Sequence, residues 1–257
     1  MSMVVFNTDL DNTMIYSYRR DIGDDKICAE IYQGREVSFI TPKTAELLAE
    51  VNESAVLVPT TTRTVEQYER IDLGIGTPHY ALACNGGVLL VDGVEDEQWY
   101  SESLRSVEDC KEELALAVKL LDEDKNRTFE VRFIRGLFVF TKSSEPEISV
   151  EMLRTALDES KMDVFSNGVK VYAVPKALSK GNAVKRFKEM IGADTVIAAG
   201  DSEFDISMLN AADIAIAPAD FPEKQRLTGE TIIMKGTGVF SEFVLDNVLS
   251  ISQREKR

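Results

Sequence analysis

Three short polar clusters each follow directly on an apolar run: Asp9-Leu10-Asp11-Asn12-Thr13, Thr60-Thr61-Thr62-Arg63 and Gly200-Asp201-Ser202-Glu203-Phe204-Asp205. A fourth, Ser179-Lys180-Gly181-Asn182, opens a helical pattern. Taken singly, an Asp or Thr after a strand is often only the cap of the next helix. Together these clusters amount to more. Asp9 and Asp11 are two apart, so an extended strand end would put both on one side, whereas capping needs only one of them. Asp201 and Asp205 are four apart, which makes them neighbours around a helix start. Four carboxylates brought together without a cation would repel one another. An oxygen-only ligand set suits a hard ion, and Mg²⁺ is the one that normally keeps waters and partners phosphates. Lys180, with the free amides of a helix start, could supply positive charge to a phosphate.

These clusters need elements that bring them together. Val4 to Thr8 and Ala55 to Pro59 read as buried strands, and Thr195 to Ala199 as another. Thr41 and Pro42 open a helix whose buried face is Leu47, Leu48 and Val51, and a further helix starts near Thr64. A third strand is expected around His79 to Ala83. Ligand sites in open parallel sheets form beyond the carboxyl ends of the strands, so the clusters could converge on one pocket. From Gly86 to about Pro175 the pattern changes to paired strands separated by helices. Hairpins are expected at Val88–Val91 with Glu97–Tyr100, at Thr128–Ile134 with Leu137–Thr141, and at Asp163–Phe165 with Val169–Val174, turning at Asn167-Gly168. Ser106 with Asp109 resembles a capping box ahead of Leu114, Val118 and Leu121. Helix and strand alternate again after Ser179, with strands near Ile214 and Ile232 and a last helix near Gly238. The fold class is therefore α/β: a doubly wound parallel-sheet core, residues 1–85 and 176–257, interrupted by an α/β module at residues 86–175. An additional hairpin, Ile27 to Tyr32 with Glu36 to Ile40, projects from the core without an evident role.

Composition narrows the function classes. With 44 acidic against 29 basic residues and a net charge of -15, the chain lacks the concentrated Lys and Arg that nucleic-acid binding requires. No apolar run approaches the ~20 residues of a membrane span, and Met1 to Phe6 leads straight into a core strand without a signal-peptide pattern. Three sparse cysteines, Cys28, Cys84 and Cys110, have no metal-type spacing and suit reduced thiols. A cytoplasmic protein acting on a small molecule is expected. None of the cysteines has Arg six positions later, and His79 is the single histidine, so cysteine-based and two-histidine phosphate chemistries are excluded. Neither a Walker loop nor a Gly-x-Ser-x-Gly elbow is present.

In combination the clusters resemble the haloacid dehalogenase superfamily. Asp9-Leu10-Asp11-Asn12-Thr13 matches its phosphatase motif DxDxT, Thr61 fits the second motif, Lys180 the third, and Asp201 with Asp205 the fourth, GDSxxD, in the family's order. The long insertion resembles a C2-type cap. The stretch Val164 to Val184, with Phe-Ser-Asn-Gly, Val-Pro and Ser-Lys-Gly-Asn, is similar to the sucrose-phosphate phosphatase-like, Cof-type branch. The resemblance implies a Mg²⁺-dependent phosphatase of a small phosphate ester, a sugar phosphate or related metabolite. By the same resemblance Asp9 is the nucleophile that becomes an aspartyl-phosphate, and Asp11 is the general acid and base. It also implies that Asp9, the Asp11 carbonyl, Asp201 and Asp205, the last directly or through water, hold the metal. Thr61 and Lys180 would stabilise the phosphoryl oxygens, and Thr62, Arg63, Asn85 and Gly86 would line the substrate pocket. The family often has Gly where this chain has Thr62, and commonly Asn where it has Phe204. Arg132, Lys142 and Lys170 are candidate substrate contacts in the cap. Two rivals share the scaffold: a phosphomutase, and a non-catalytic ligand-binding protein, against which the intact Asp9 and Asp11 pair argues.

Overall fold

A strand flanked on both sides and covered on both faces is screened from water along its length, and Val4–Thr8 is buried at every position, from Val4, Val5 and Phe6 to the polar Asn7 and Thr8. The computed structural model describes residues 2–255. Along the chain come β1 (Val4–Thr8), β2 (Tyr16–Ser17), β3 (Ile27–Tyr32), β4 (Arg35–Ile40), α1 (Pro42–Ser54) and β5 (Val56–Pro59). They are followed by α2 (Val65–Tyr68), β6 (Tyr80–Ala83), β7 (Val88–Val91) and β8 (Val94–Glu95). Next come α3 (Glu97–Ser106), α4 (Lys111–Glu123), β9 (Arg132–Ile134), β10 (Phe138–Lys142), α5 (Pro146–Ala156), β11 (Met162–Asn167) and β12 (Lys170–Pro175). The chain ends with α6 (Lys180–Ile191), β13 (Thr195–Ala199), α7 (Ile206–Ala211), β14 (Ile214–Ala217), β15 (Glu230–Ile233) and α8 (Phe240–Glu255). Two compact units result: one holds the chain up to Asp96 and from Lys180 onward, the other is Glu97–Ser179.

The first unit is built on a five-stranded sheet in the order β15-β14-β13-β1-β5, with every pairing parallel. Helices α1 and α8 pack as one pair, and α6 and α7 as another. The expected doubly wound core is therefore present. Its registers fix where neighbouring strands end: Thr8 sits level with Ala199 on one side and with Pro59 on the other. The chain thus leaves three adjacent strands at one edge of the sheet, where the strand order reverses. Thr41 caps α1 by accepting from the Thr44 amide, and Thr64 caps α2 in a capping box with Gln67. Strand β6 lies outside the central sheet, in a three-stranded β6-β7-β8 sheet tied to the end of β5 by a Thr60–Leu82 bridge.

In the second unit an antiparallel sheet, β11-β12-β10-β9, packs against α4 and α5. Its core joins Leu114, Ala117 and Leu121 of α4 with Val150 and Leu153 of α5 and Val139, Val164 and Val171 of the sheet. The alternate positions form an aromatic row on the other face, Phe129–Phe140–Tyr172–Phe165, with successive ring centroids 6.3, 5.6 and 5.5 Å apart.

Four local readings differ from the sequence expectation. Asp92-Gly93 closes a tight turn so early that β8 ends at Glu95, and Glu97–Tyr100 is the first turn of a helix. The last hairpin turns at Gly168-Val169, one residue later than expected, because Asn167 still pairs with Lys170. Gly168, at φ +56°, takes the first turn position, where a side chain would strain. Ser106 donates to the Ser103 carbonyl and caps nothing, and α4 starts at Lys111. The units divide at Asp96 and Ser179; β7 pairs with β6 and β8 with β7, which keeps both strands in the first unit. Among the described residues no helix is long and apolar enough to cross a membrane.

Candidate active site

The three level strand ends deliver Asp9, Thr60–Arg63 and Asp201 to one edge of the sheet. After Thr8 the chain folds at once into a turn. The amides of Thr13, Met14 and Ile15 all donate to the Leu10 carbonyl, at 3.2, 2.9 and 2.9 Å, and Asn12 takes a left-handed conformation. Asp9 and Asp11 therefore differ from residues of an extended strand: Asp9 is buried, while the Asp11 side chain is 52% exposed. Tyr16 secures the turn, its hydroxyl donating to the Thr13 carbonyl and accepting from the Ser241 amide. Thr13 in turn reaches Asp201 Oδ1 at 3.4 Å.

Lys180, at the start of α6, is 1% exposed and its ammonium stands 2.6 Å from both Asp9 Oδ1 and Asp205 Oδ1. Asp205 is completely buried. Its second oxygen accepts from the Asp201 amide, the Ser202 amide and the Ser202 hydroxyl at 3.0–3.1 Å, which closes a capping box at the start of the Glu203–Asp205 turn. Two glycines make this closeness possible. A Cβ on Gly200 would fall 2.4 Å from the Asp205 side chain, and one on Gly181 would fall 2.1 Å from the Ser207 carbonyl oxygen.

Asp9, Asp201 and Asp205 each offer a carboxylate oxygen, and these atoms lie within 4.8 Å of one another. Three carboxylates facing the single Lys180 ammonium leave two negative charges in excess, the amount one divalent cation neutralises. The titration of the groups reflects that excess. Burial and the nearby Asp205 push Asp201 up to about 7, although Lys180 pulls it down. Asp9 is raised well above the usual carboxylate range by burial, with Asp205, Asp201 and Asp11 adding to it against Lys180. Burial disfavours the Lys180 charge, but Asp205 and Asp9 outweigh burial and hold it protonated. Hard oxygen donors around an uncompensated charge fit a cation of the Mg²⁺ type. A pocket of about 220 Å³, with Asn12, Tyr16, Arg20 and Asp220 in its wall, opens beside Asp201.

Thr61 is buried in the loop that follows β5, its hydroxyl oxygen accepting from the Arg63 amide at 3.1 Å. Thr62 is half-buried in the same loop. The loop is held from below by a left-handed turn at Cys84, Asn85 and Gly86, with φ of 53°, 59° and 86°. The Asn85 amide donates to the Thr61 carbonyl and the Cys84 amide to the Arg63 carbonyl. Strained non-glycine residues of this kind gather where structure serves a site. Arg63 grips Asp11 with two hydrogen bonds of 2.7 and 2.8 Å. Arg132 and Lys142 lie in the second unit with their cations over the Phe129 ring.

One residue of this arrangement carried no signal in the sequence. Glu30 of β3 lies between the apolar Ala29 and Ile31 in an alternating strand, a pattern that predicts an outward acid, yet it is buried against Arg63. Ser202 was legible in principle, since Ser202-x-x-Asp205 has the spacing of a capping box.

A family model for haloacid dehalogenase-like hydrolases matches residues 94–225, more than half of the chain, and includes Lys180, Asp201 and Asp205. The chain belongs to that family, and it is an enzyme of the phosphoric monoester hydrolase class. It is 24% identical over 241 residues to "Phosphoglycolate phosphatase 2" of Saccharolobus solfataricus, covering 90% of this chain and 95% of that protein. A phosphoglycolate phosphatase of Sulfurisphaera tokodaii is 26% identical over 65% of this chain and 67% of its own length. Among solved structures, the sucrose-phosphatase of Synechocystis, determined with sucrose and phosphate, superposes with a TM-score of 0.64 at 15% identity, covering 97% of this chain and 99% of that one. The trehalose-6-phosphate phosphatase of Aspergillus fumigatus gives 0.57 at 12% identity, with 98% and 93% covered. At these identities the structural likeness establishes the shared fold.

Proposed function

We propose that this protein is a Mg²⁺-dependent phosphatase that hydrolyses a small phosphate monoester through an aspartyl-phosphate on Asp9. The observation that carries the reading is the Asp9–Lys180–Asp205 triad beside Asp201, with its two excess negative charges. Asp9 and Asp201 would hold the cation with the Asp11 carbonyl. Each Asp205 oxygen already has a protein partner, so Asp205 would serve the site by fixing Lys180 and the Asp201-Ser202 backbone, or would reach the cation through water. Bound there, Mg²⁺ supplies positive charge to the phosphoryl oxygens and holds phosphate and nucleophile together.

The protein's own groups do the rest. One Asp9 oxygen is held by Lys180, which leaves the other to attack phosphorus in line as the bond to the leaving oxygen breaks. Asp11, exposed at the mouth of the turn, gives its proton to that oxygen and then takes one from the water that hydrolyses the phosphoaspartate. Lys180, kept charged by its two carboxylates, and Thr61 neutralise and orient the phosphoryl oxygens. Thr62, Asn85 and Gly86 would border the rest of the substrate. Phosphoglycolate, which gives curated relatives of this chain their names, and sugar phosphates head the candidates.

The test is phosphate release from a panel of phosphoglycolate, sugar phosphates, nucleotides and phosphoglycerates, with Mg²⁺ and with chelator, for the wild type and Asp9→Asn. Mg²⁺-dependent release that Asp9→Asn abolishes, with its fold intact, supports the reading. Release that survives exhaustive chelation, or the Asp9→Asn change, overturns it.

A further inference from the structure

The second half of β3, in hairpin β3–β4, inverts the usual rule of strand burial. Its hydrophobic Ile31 and Tyr32 are 59% and 47% exposed, while the acid Glu30 is 4% exposed. A hairpin present only for packing would bury the isoleucine and leave the carboxylate in water. The inversion has a local cause. Register slips on either side of Glu30 leave Ala29 without a partner in the ladder, so Ala29 and Glu30 both face inward. Bulges re-aim side chains in this way. Glu30 is fixed further by a bridge to Ile71 and by the Asp72 amide donating to the Ala29 carbonyl.

The buried carboxylate is fully engaged. Oε1 accepts from Arg63 Nη1 at 3.0 Å and from Arg70 Nε and Nη2 at 3.1 and 3.0 Å. Oε2 accepts from Arg63 Nη2 at 3.1 Å and from the Ser38 hydroxyl at 2.9 Å. Arg70 is itself held under the Tyr32 ring, 4.6 Å from its centroid. Burial alone would raise Glu30, yet the hydrogen bonds and charge of Arg63, with Ser38 and Arg70, bring it below the usual carboxylate range. On its other edge Arg63 donates from Nε to Asp11 Oδ2 at 2.8 Å and from Nη2 to Asp11 Oδ1 at 2.7 Å, and Nη1 also reaches the Gln67 carbonyl at 3.4 Å. These five contacts use the five N–H donors of a guanidinium, so none is left over for a substrate oxygen. The planar fork carries orientation from one carboxylate to the other.

We propose that Glu30 is a positioning residue: the hairpin holds it against Arg63, and Arg63 thereby places the Asp11 carboxylate for its proton transfers to and from the leaving oxygen and water. The proposal rests on the reading of Asp11 as the acid and base, and it gives the hairpin at residues 27–40 its function. Placement of a proton donor matters most where the leaving oxygen needs a proton.

The experiment compares kcat and KM for benzyl phosphate, whose alkoxide leaves with a proton, and 4-nitrophenyl phosphate, whose phenolate leaves without one. Asp11→Asn comes first: a much larger loss on benzyl phosphate confirms that Asp11 is the acid, and equal losses would overturn that reading and this proposal with it. Glu30→Gln keeps the shape but turns an N–H toward Arg63. It is expected to lower kcat for benzyl phosphate at least tenfold and for 4-nitrophenyl phosphate less than about threefold, with KM little changed. Combined with Asp11→Asn it should add no further loss, because its effect passes through Asp11. Ser38→Ala, which removes one hydrogen bond to Glu30, should give the same selectivity about two- to threefold and serves if Glu30→Gln does not fold. Equal losses on both esters, no loss, or additivity with Asp11→Asn would show that Glu30 only stabilises the fold, while leaving Asp11 in its role.

Discussion

If the proposed Mg²⁺ binds at Asp201, proton binding and metal binding there must compete, and the coupling is large enough to measure as stability. A carboxyl at 3.8 in the unfolded chain and at about 7 in the folded one binds its proton more tightly when folded. Below pH 3.8 both states are protonated and the Asp201 contribution is at its full value. Between pH 3.8 and about 7 the unfolded chain has released the proton while the metal-free folded protein retains it, so stability falls as pH rises. At about 1.4 kcal/mol per unit, the loss reaches about 4 kcal/mol above pH 7, and the raised Asp9 adds in the same direction. A cation bound as proposed would offset the burial and the Asp205 charge that raise Asp201, and protons would compete with it up to about pH 7. Urea unfolding of the wild type and Asp201→Asn, from about pH 5 to 8, with chelator and with saturating Mg²⁺, checks this. With chelator the wild type should lose stability relative to Asp201→Asn as pH rises, by a few kcal/mol at about pH 8. The stabilisation by Mg²⁺ should grow over the same interval in the wild type, to about 3 kcal/mol at a hundred times Kd, and be much smaller in Asp201→Asn. A Mg²⁺ effect independent of pH, or parallel pH profiles of the two proteins with chelator, would refute the reasoning.

Lys180→Met leaves Asp9 and Asp205 without their cation; kcat should fall by about a thousandfold or more, and urea unfolding at about pH 8 should register a loss of about 3–5 kcal/mol. Gly181→Ala drives a methyl into the Ser207 carbonyl oxygen and should cost about 3 kcal/mol, read as a lower Tm with Mg²⁺ present; an unchanged Tm would show that α6 and α7 can separate freely. The core of Glu97–Ser179 is made by its own helices and sheet, so that fragment alone should unfold in a single cooperative urea transition; a structureless circular dichroism spectrum would contradict this.

Much of the site was legible because its chemistry is local. Asp9-x-Asp11, Thr61 and Asp201-x-x-x-Asp205 declare themselves by residue type and by following apolar strands, and Lys180 by opening a helix, while strand alternation with helices determined the parallel core that gathers them. The ends of elements were less legible. Asn167-Gly168 reads as a turn from its two residues, but the pairing of Asn167 with Lys170 moves the turn to Gly168-Val169, since ladder register outweighs dipeptide preference. Asp9 and Asp11, equivalent in a strand, were separated into a buried nucleophile candidate and an exposed acid by a turn closed through the Leu10 carbonyl. Only the tertiary structure decided where Glu30 points, because a bulge reverses alternation and no residue within β3 announces the arginines that meet it from the loop before Thr64 and from beyond α2. Sequence by itself determines which groups can carry charge and in what order strands and helices follow; whether the five carboxylates of Asp9, Asp11, Glu30, Asp201 and Asp205 meet one lysine and two arginines depends on contacts between residues far apart in the chain, and those exist only once the sheet has closed.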